Sequence, residues 1–490
     1  MRVPLPPLPL IGVALACLWN ASAQEPLPHP AKSEWLADYE SLKAELERSY
    51  SHLAWFGSPE SGVDIPALEL KTRSAIQKAN SVEEAKAAIV SFVSGFRDGH
   101  LEASELQGAS IADPAVPSPP SDATTACAAY GYEARTSVQF SLPFESLPGF
   151  TLLTDGLSAA FRSGTIESGR QRIAIIRIPR FRALEYPAIC REVWATLNRS
   201  GRTPDRSAIG RAIDQAWLET LGARLRSLRD KKPLAVLVDI GGNGGGNDLG
   251  DWAVRAFTEK PIRSAPLLLS ASSVAVPYFN EQIHILQAAA KSGNISPATQ
   301  KALEQAINAF QERTRLATSR ACSMTWVWTE RRPWGTSDCT RLIESGYTSG
   351  HMDYAEPGSF EPPAARALYW ASIADPVRGA WQGPTFVITD SGTGSAAEGY
   401  AALMRDSGIA RTIGMRTWGD GCGFMAAGTP FVLPHLHLSI KIPDCVRLRR
   451  DNSDEVAGVA PDIEIAPLPG ESPGARASRL LARVRKELVR

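Results

Sequence analysis

Apolar positions near the N-terminus recur at helical spacing. Leu36, Tyr39, Leu42, Leu46 and Tyr50 share one face, and Ser81-Val-Glu-Glu84 opens a further helix with a capping box. Residues 33–97 therefore read as a helical region ending at Asp98-Gly99-His100. Residues 108–126, rich in Pro, Ser and Ala, read as a linker or long loop. Beyond it the period shortens, and 137–142, 150–154 and 173–178 predict strands. A helix over 209–229 leads into the unbroken apolar run Leu234–Asp239, the mark of a strand buried on both faces. Residues 248–257 predict the helix that follows, and 278–318 carry long helical patterns. A second core strand, 385–389, precedes a glycine turn and a helix over 396–406. Strand, glycine turn and helix thus occur twice, which predicts an α/β fold: a mixed sheet with crossover helices, a helical N-terminal region and a helical insertion. The expected division is 1–23 signal peptide, 24–100 helical region, 101–170 linker and small β region, and 171–270 with 381–470 as α/β core. The helical insertion takes 271–380, and 471–490 forms a basic C-terminal helix, read as largely solvated because Arg476–Arg490 holds six cations and one anion.

Composition narrows the functional classes. The 490 residues carry 52 Lys+Arg against 52 Asp+Glu, so there is no global basic field, which argues against nucleic acid as the main partner. Met1-Arg2, an apolar stretch from Leu8 to Trp19 and Ala21-Ser22-Ala23 describe a cleaved secretory signal, too short to span a bilayer. Cys17 follows a poor lipoprotein box, and no later run is long enough for stable membrane insertion. The mature chain is expected to be exported, periplasmic or secreted. Six cysteines follow Cys17, and an even number in an oxidising compartment favours disulfides. Proximity suggests Cys322–Cys339 and Cys422–Cys445, leaving Cys127–Cys190. No C-x-x-C is present, and the sequence calls for no metal or cofactor.

Two turns carry candidate chemistry. Asp239-Ile-Gly-Gly-Asn-Gly-Gly-Gly-Asn247 follows a buried strand, where glycines let backbone N–H groups approach a ligand or a developing oxyanion. A phosphate loop would need Gly-Lys-Ser/Thr, and Asn247-Asp248 stands there instead. In Asp390-Ser-Gly-Thr-Gly-Ser395-Ala-Ala-Glu398 a serine sits at a helix N-terminus, where negative charge on a reacting oxygen is favoured. Taken alone, Ser395 could equally be a simple helix cap.

Together the two turns resemble the C-terminal processing (tail-specific) serine proteases, including their tricorn core protease branch. That family's Asp-x-Arg-x-Asn-Gly-Gly-Gly matches Asp239–Gly246, and its Ser-Ala-x-Glu matches Ser395–Glu398. Its Thr-hydrophobic-Gly matches Thr417-Trp-Gly419, its Gly-Val-x-Pro-Asp matches Gly458–Asp462, and its Asp-x-His matches Asp98-Gly-His100. The resemblance covers about 90–270 and 380–466 and implies a crotonase-like protease core. It implies a polypeptide substrate, Ser395 as nucleophile, His100 as general base and Glu455 orienting the imidazole. It also implies an oxyanion hole from the N–H of Ala396 and of Gly244 or Gly245. The bacterial branch places a lysine in Phe-Gly-Lys-Gly, whereas this chain reads Trp418-Gly-Asp420-Gly421; the tricorn branch has a serine beside the histidine, where Gly99 stands here. Asp454 and Asp420 remain alternatives to Glu455, and His351 in Thr348-Ser-Gly-His competes with His100. A histidine base suits a serine nucleophile, because a base of pKa near 7 is worth about 10²–10⁴ in rate. A non-catalytic peptide- or ligand-binding protein on the same scaffold, and an esterase, are the other readings. No clear peptide-binding PDZ module is visible between His100 and Ile173.

Overall fold

The structure, a computed structural model, describes residues 32–106, 122–132, 137–168, 171–198, 206–319, 322–335, 339–426 and 429–489. The expected signal peptide and most of the Pro-rich stretch lie outside the described residues.

Seven strands make the central sheet: β1 Phe150–Thr154, β2 Ser163–Ser168, β3 Gln171–Arg177, β4 Ala235–Asp239, β5 Thr385–Thr389, β6 Arg411–Gly414 and β7 Ile463–Glu464. They lie side by side in chain order. β1, β2 and β3 form an antiparallel meander. From β3 to β7 every pairing is parallel. The sheet is mixed as expected, but β1 and β2 extend the core sheet and do not form a small region of their own. β2 escaped prediction because its Ser-Gly-Thr-Ile-Glu-Ser lacks an apolar run. Conversely, 137–142 forms no strand, because Ser141 gives its N–H and hydroxyl to the Asp239 carboxylate.

Both faces of the sheet are covered, which explains why every residue of β4 and β5 is buried. On one face, Trp217, Leu221 and Leu225 of helix Arg206–Arg229 and Tyr400 of helix Ala396–Asp406 pack with Val236 and Val238. On the other, Leu480, Leu481 and Val484 of helix Pro473–Leu488 meet Leu237, Ile388 and Ile413. The basic terminal helix is thus a layer of the fold, its apolar stripe buried, with Arg476 and Arg479 donating to the backbone oxygens of Ile465 and Ala466.

Helices Lys32–Ser49, Ile65–Lys78 and Val82–Gly95 build the N-terminal region around its own aromatic core. Ser81 caps the last of them through the Glu84 N–H, as its sequence predicts. The stretch 271–380 contains helices Val276–Ala290 and Pro297–Ser319, but also strand Leu342–Tyr347. That strand pairs with Pro266–Ser270, which pairs in turn with Cys445–Arg447, so the insertion is stitched to the core by a second sheet. Trp326 and Trp328 leave the insertion to join the N-terminal core. Bridges join Cys127 to Cys190, Cys322 to Cys339 and Cys422 to Cys445. No described helix is long and apolar enough to cross a membrane.

Candidate active site

β4 and β5 are adjacent and parallel, with Asp239 opposite Ile388, so both glycine turns leave the same carboxyl edge of the sheet. Ligand crevices of α/β sheets form at such edges. The turns are tied to one another: Asp390 Oδ1 accepts the Gly242 N–H at 2.7 Å, and the Gly394 N–H donates to Asn243 O at 3.0 Å. Buried Asn243 donates its amide to Ile178 O at 2.9 Å and accepts the Gly245 N–H at 2.9 Å. Gly241 stands where the family motif carries arginine, and a Cβ there would lie 2.6 Å from Ser141 Cβ. Arg177, on neighbouring β3, supplies a cation to Asp239 instead, at 3.2 Å.

Ser395 has φ 53° and ψ −124° at the N-cap of helix Ala396–Asp406. A non-glycine residue held there stores about 1–3 kcal/mol of backbone strain, the signature of a sharp strand-to-helix turn that presents its side chain. Two groups hold the turn. The Ser395 N–H donates to Glu398 Oε2 at 3.1 Å, and Arg447 Nη2 donates to Ser395 O at 3.0 Å. Glu398 also accepts the N–H groups of Gly419 (2.7 Å), Asp420 (2.8 Å) and Gly421 (3.1 Å) and the Thr417 hydroxyl. Burial, first of all, pushes its pKa up to about 7 against the pull of these donors.

His100 follows the last N-terminal helix. Its backbone N–H donates to Asp98 Oδ1 at 2.9 Å, and Tyr50 donates to Asp98 Oδ2 at 2.7 Å. Its Nδ1 lies 3.0 Å from the backbone oxygen of Asp420. A carbonyl can only accept, so Nδ1 carries the proton and Nε2 keeps its lone pair. Nε2 and Ser395 Oγ are not hydrogen-bonded to each other among the described residues; catalytic hydrogen bonds of this kind commonly tighten only with substrate in place.

The other expected residues sort as follows. Among the described residues the N–H groups of Ala396 and Gly244 have no hydrogen-bond partner, whereas that of Gly245 is taken by Asn243. Gly245 is therefore not a free donor, a detail that depends on the Asn243 amide. Glu455 does not touch the imidazole: it is buried in an ion pair with Arg447. Arg447 donates to Gly421 O at 2.8 Å as well as to Ser395 O, so Glu455 is linked to the serine turn only through Arg447. Asp454 is engaged with His52 at 2.7 Å, both fully buried. His351 sits in the insertion, 5.9 Å between its ring and that of Phe310, and burial, with Arg313 adding to it, lowers its pKa to about 4. Arg447 and Asp390 went unforeseen; Asp390 opens the serine turn, but nothing near Arg447 in the sequence marks it. Among the described residues no three His, Cys, Asp or Glu side chains converge as metal ligands.

The mixed sheet with both glycine turns on its carboxyl edge agrees with the α/β fold that the resemblance to serine proteases implies. Residues 278–465 match the model of peptidase family S41, which supports a serine peptidase. The crystal structure of mature CPAF is similar at TM-score 0.53 and 12% identity, over 93% of this chain and 97% of that one. Mature CPAF complexed with lactacystin gives 0.53 and 12% over 94% and 98%. The photosystem II D1 C-terminal processing protease, at 12% identity over 91% and 96%, scores 0.32. At these identities the likeness to solved structures is one of fold. No curated protein matches the sequence.

Proposed function

We propose that the protein is an exported peptidase in which Ser395 and His100 carry the chemistry on polypeptide substrates. Ser395 Oγ forms a bond to the scissile carbonyl carbon while its proton passes to His100 Nε2. The carbonyl oxygen, now negative, is received by the N–H groups of Ala396 and Gly244 at the helix N-terminus. Collapse breaks the C–N bond, and His100 returns the proton to the leaving amine; water then hydrolyses the acyl-enzyme by the same route. Glu455 holds Arg447, and through it the serine turn. The observation that supports this reading most is the Nδ1 contact to the Asp420 carbonyl, which gives His100 the tautomer a general base needs. Three disulfides support export. A cavity of about 330 Å³ beside helix Ala396–Asp406, lined by Asn247, Asp248, Ala396 and Gly399, offers room for a substrate side chain.

The test is hydrolysis of an unfolded protein mixture by the mature enzyme. Ser395→Ala should abolish cleavage, and His100→Ala should slow it about 10²–10⁴-fold, both with unchanged melting. Wild-type rates in Ser395→Ala would end the assignment.

A further inference from the structure

We propose that Asp420 is the positioning residue of this active site, holding His100 and supplying the negative charge that stabilises its imidazolium. The inference rests on the reading of His100 as general base and deepens it. Two departures from the family pattern, Gly99 and Asp420, prove to be one contact. Asp420 Oδ1 accepts the Gly99 N–H at 3.1 Å, and a Cβ at position 99 would lie 2.2 Å from that oxygen. A serine beside the histidine would have to displace the carboxylate that stands there. The other oxygen, Oδ2, lies so close to Gly394 that a Cβ there would stand 2.8 Å away. One carboxylate thus sits between the residue before His100 and the residue before Ser395.

The backbone of Asp420 acts alongside its side chain. Its carbonyl accepts from His100 Nδ1, and its N–H donates to Glu398 on the serine's own helix. The other acids considered are engaged elsewhere, Glu455 with Arg447 and Asp454 with His52. Burial raises the pKa of Asp420, and the charge of the nearby imidazole pulls it back. Asp98 and Glu102, from the histidine segment, and Glu398 face the same pair and oppose a second negative charge. Asp98 Oδ1 also lies 3.9 Å from His100 Nδ1, whereas Asp420 reaches that nitrogen through its backbone carbonyl at 3.0 Å.

The experiment compares wild type with Asp420→Asn and Asp420→Ser, which remove the charge but keep an acceptor for the Gly99 N–H. Using two variants guards against one failing to fold, and thermal melts identify the folded ones. Expected is a 10–100-fold loss in kcat, on the order of a lost charge beside a general base, with KM unchanged. The acid limb of kcat/KM should move to lower pH, because the imidazolium loses its partner. In parallel, the His100 ring resonances are titrated by NMR in Ser395→Ala and in Ser395→Ala/Asp420→Asn. A lower midpoint in the double variant supports the proposal; equal midpoints, or a folded Asp420→Asn with wild-type kcat and acid limb, overturn it. Since the NMR arm needs no turnover, an inactive wild type would count against the peptidase chemistry and leave the Asp420 result standing.

Discussion

Glu398 gathers four backbone N–H groups and a hydroxyl, yet burial lifts its pKa to about 7. Because the folded value lies above the ordinary carboxylate one, this group favours the fold fully below about 4.5, and that contribution is lost as pH rises through about 7. Melting temperature should therefore carry a downward component between those pH values that Glu398→Gln lacks, as thermal melts across the range will show. The same variant turns an NH₂ group toward backbone donors, so its kcat should fall at least about tenfold at every pH, consistent with about 1–3 kcal/mol for unsatisfied buried groups. At this scale the motifs revealed which residues matter more fully than what each one touches. Ser395 and His100 were legible as candidates because each stands in a recognisable motif, Ser-Ala-x-Glu and Asp-x-His. The partner of Glu455 was not, since its pairing with Arg447 depends on how two loops meet. The choice between Gly244 and Gly245 was equally hidden, because it turns on one amide oxygen.

Helix Pro473–Leu488 shows how an element can carry more than its charge count suggests. Six cations in the last fifteen residues read as a solvated tail, but Ala477, Leu480, Leu481 and Val484 form a stripe that seals one face of the sheet. Leu480→Ala should cost about 2–5 kcal/mol, read as a shift in denaturant midpoint with the slope unchanged. Peptidase activity at 25 °C should survive, since this layer lies on the face opposite the serine helix. Runs of apolar residues located β3, β4 and β5, because strands covered on both faces leave that imprint. β2 left none, being small and polar, and 137–142 misled because its alternation serves a loop that caps Asp239.

The proposed base comes from the end of the N-terminal helical region and the proposed nucleophile from a turn of the central sheet, so the proposed site depends on the docking of these two bodies. Buried His52 is a main tie. Its burial would lower its pKa, but the Asp454 carboxylate outweighs this and raises it to about 9. The stabilisation is thus complete below about 6.5 and lost as pH rises through about 9. Wild-type melting temperature should fall over that window, and a folded His52→Gln should lack that component; parallel curves would refute the linkage. That region was legible as helical from its periodicity, but its dependence on residues some four hundred positions away was not. A second tie is covalent: Cys422–Cys445 fastens the loop of Asp420 and Gly421 to the strand bearing Arg447. Under the proposed export this bond would close only after the chain leaves the thiol-rich cytosol, so the loop beside the proposed site would be fastened outside the compartment where the chain is made.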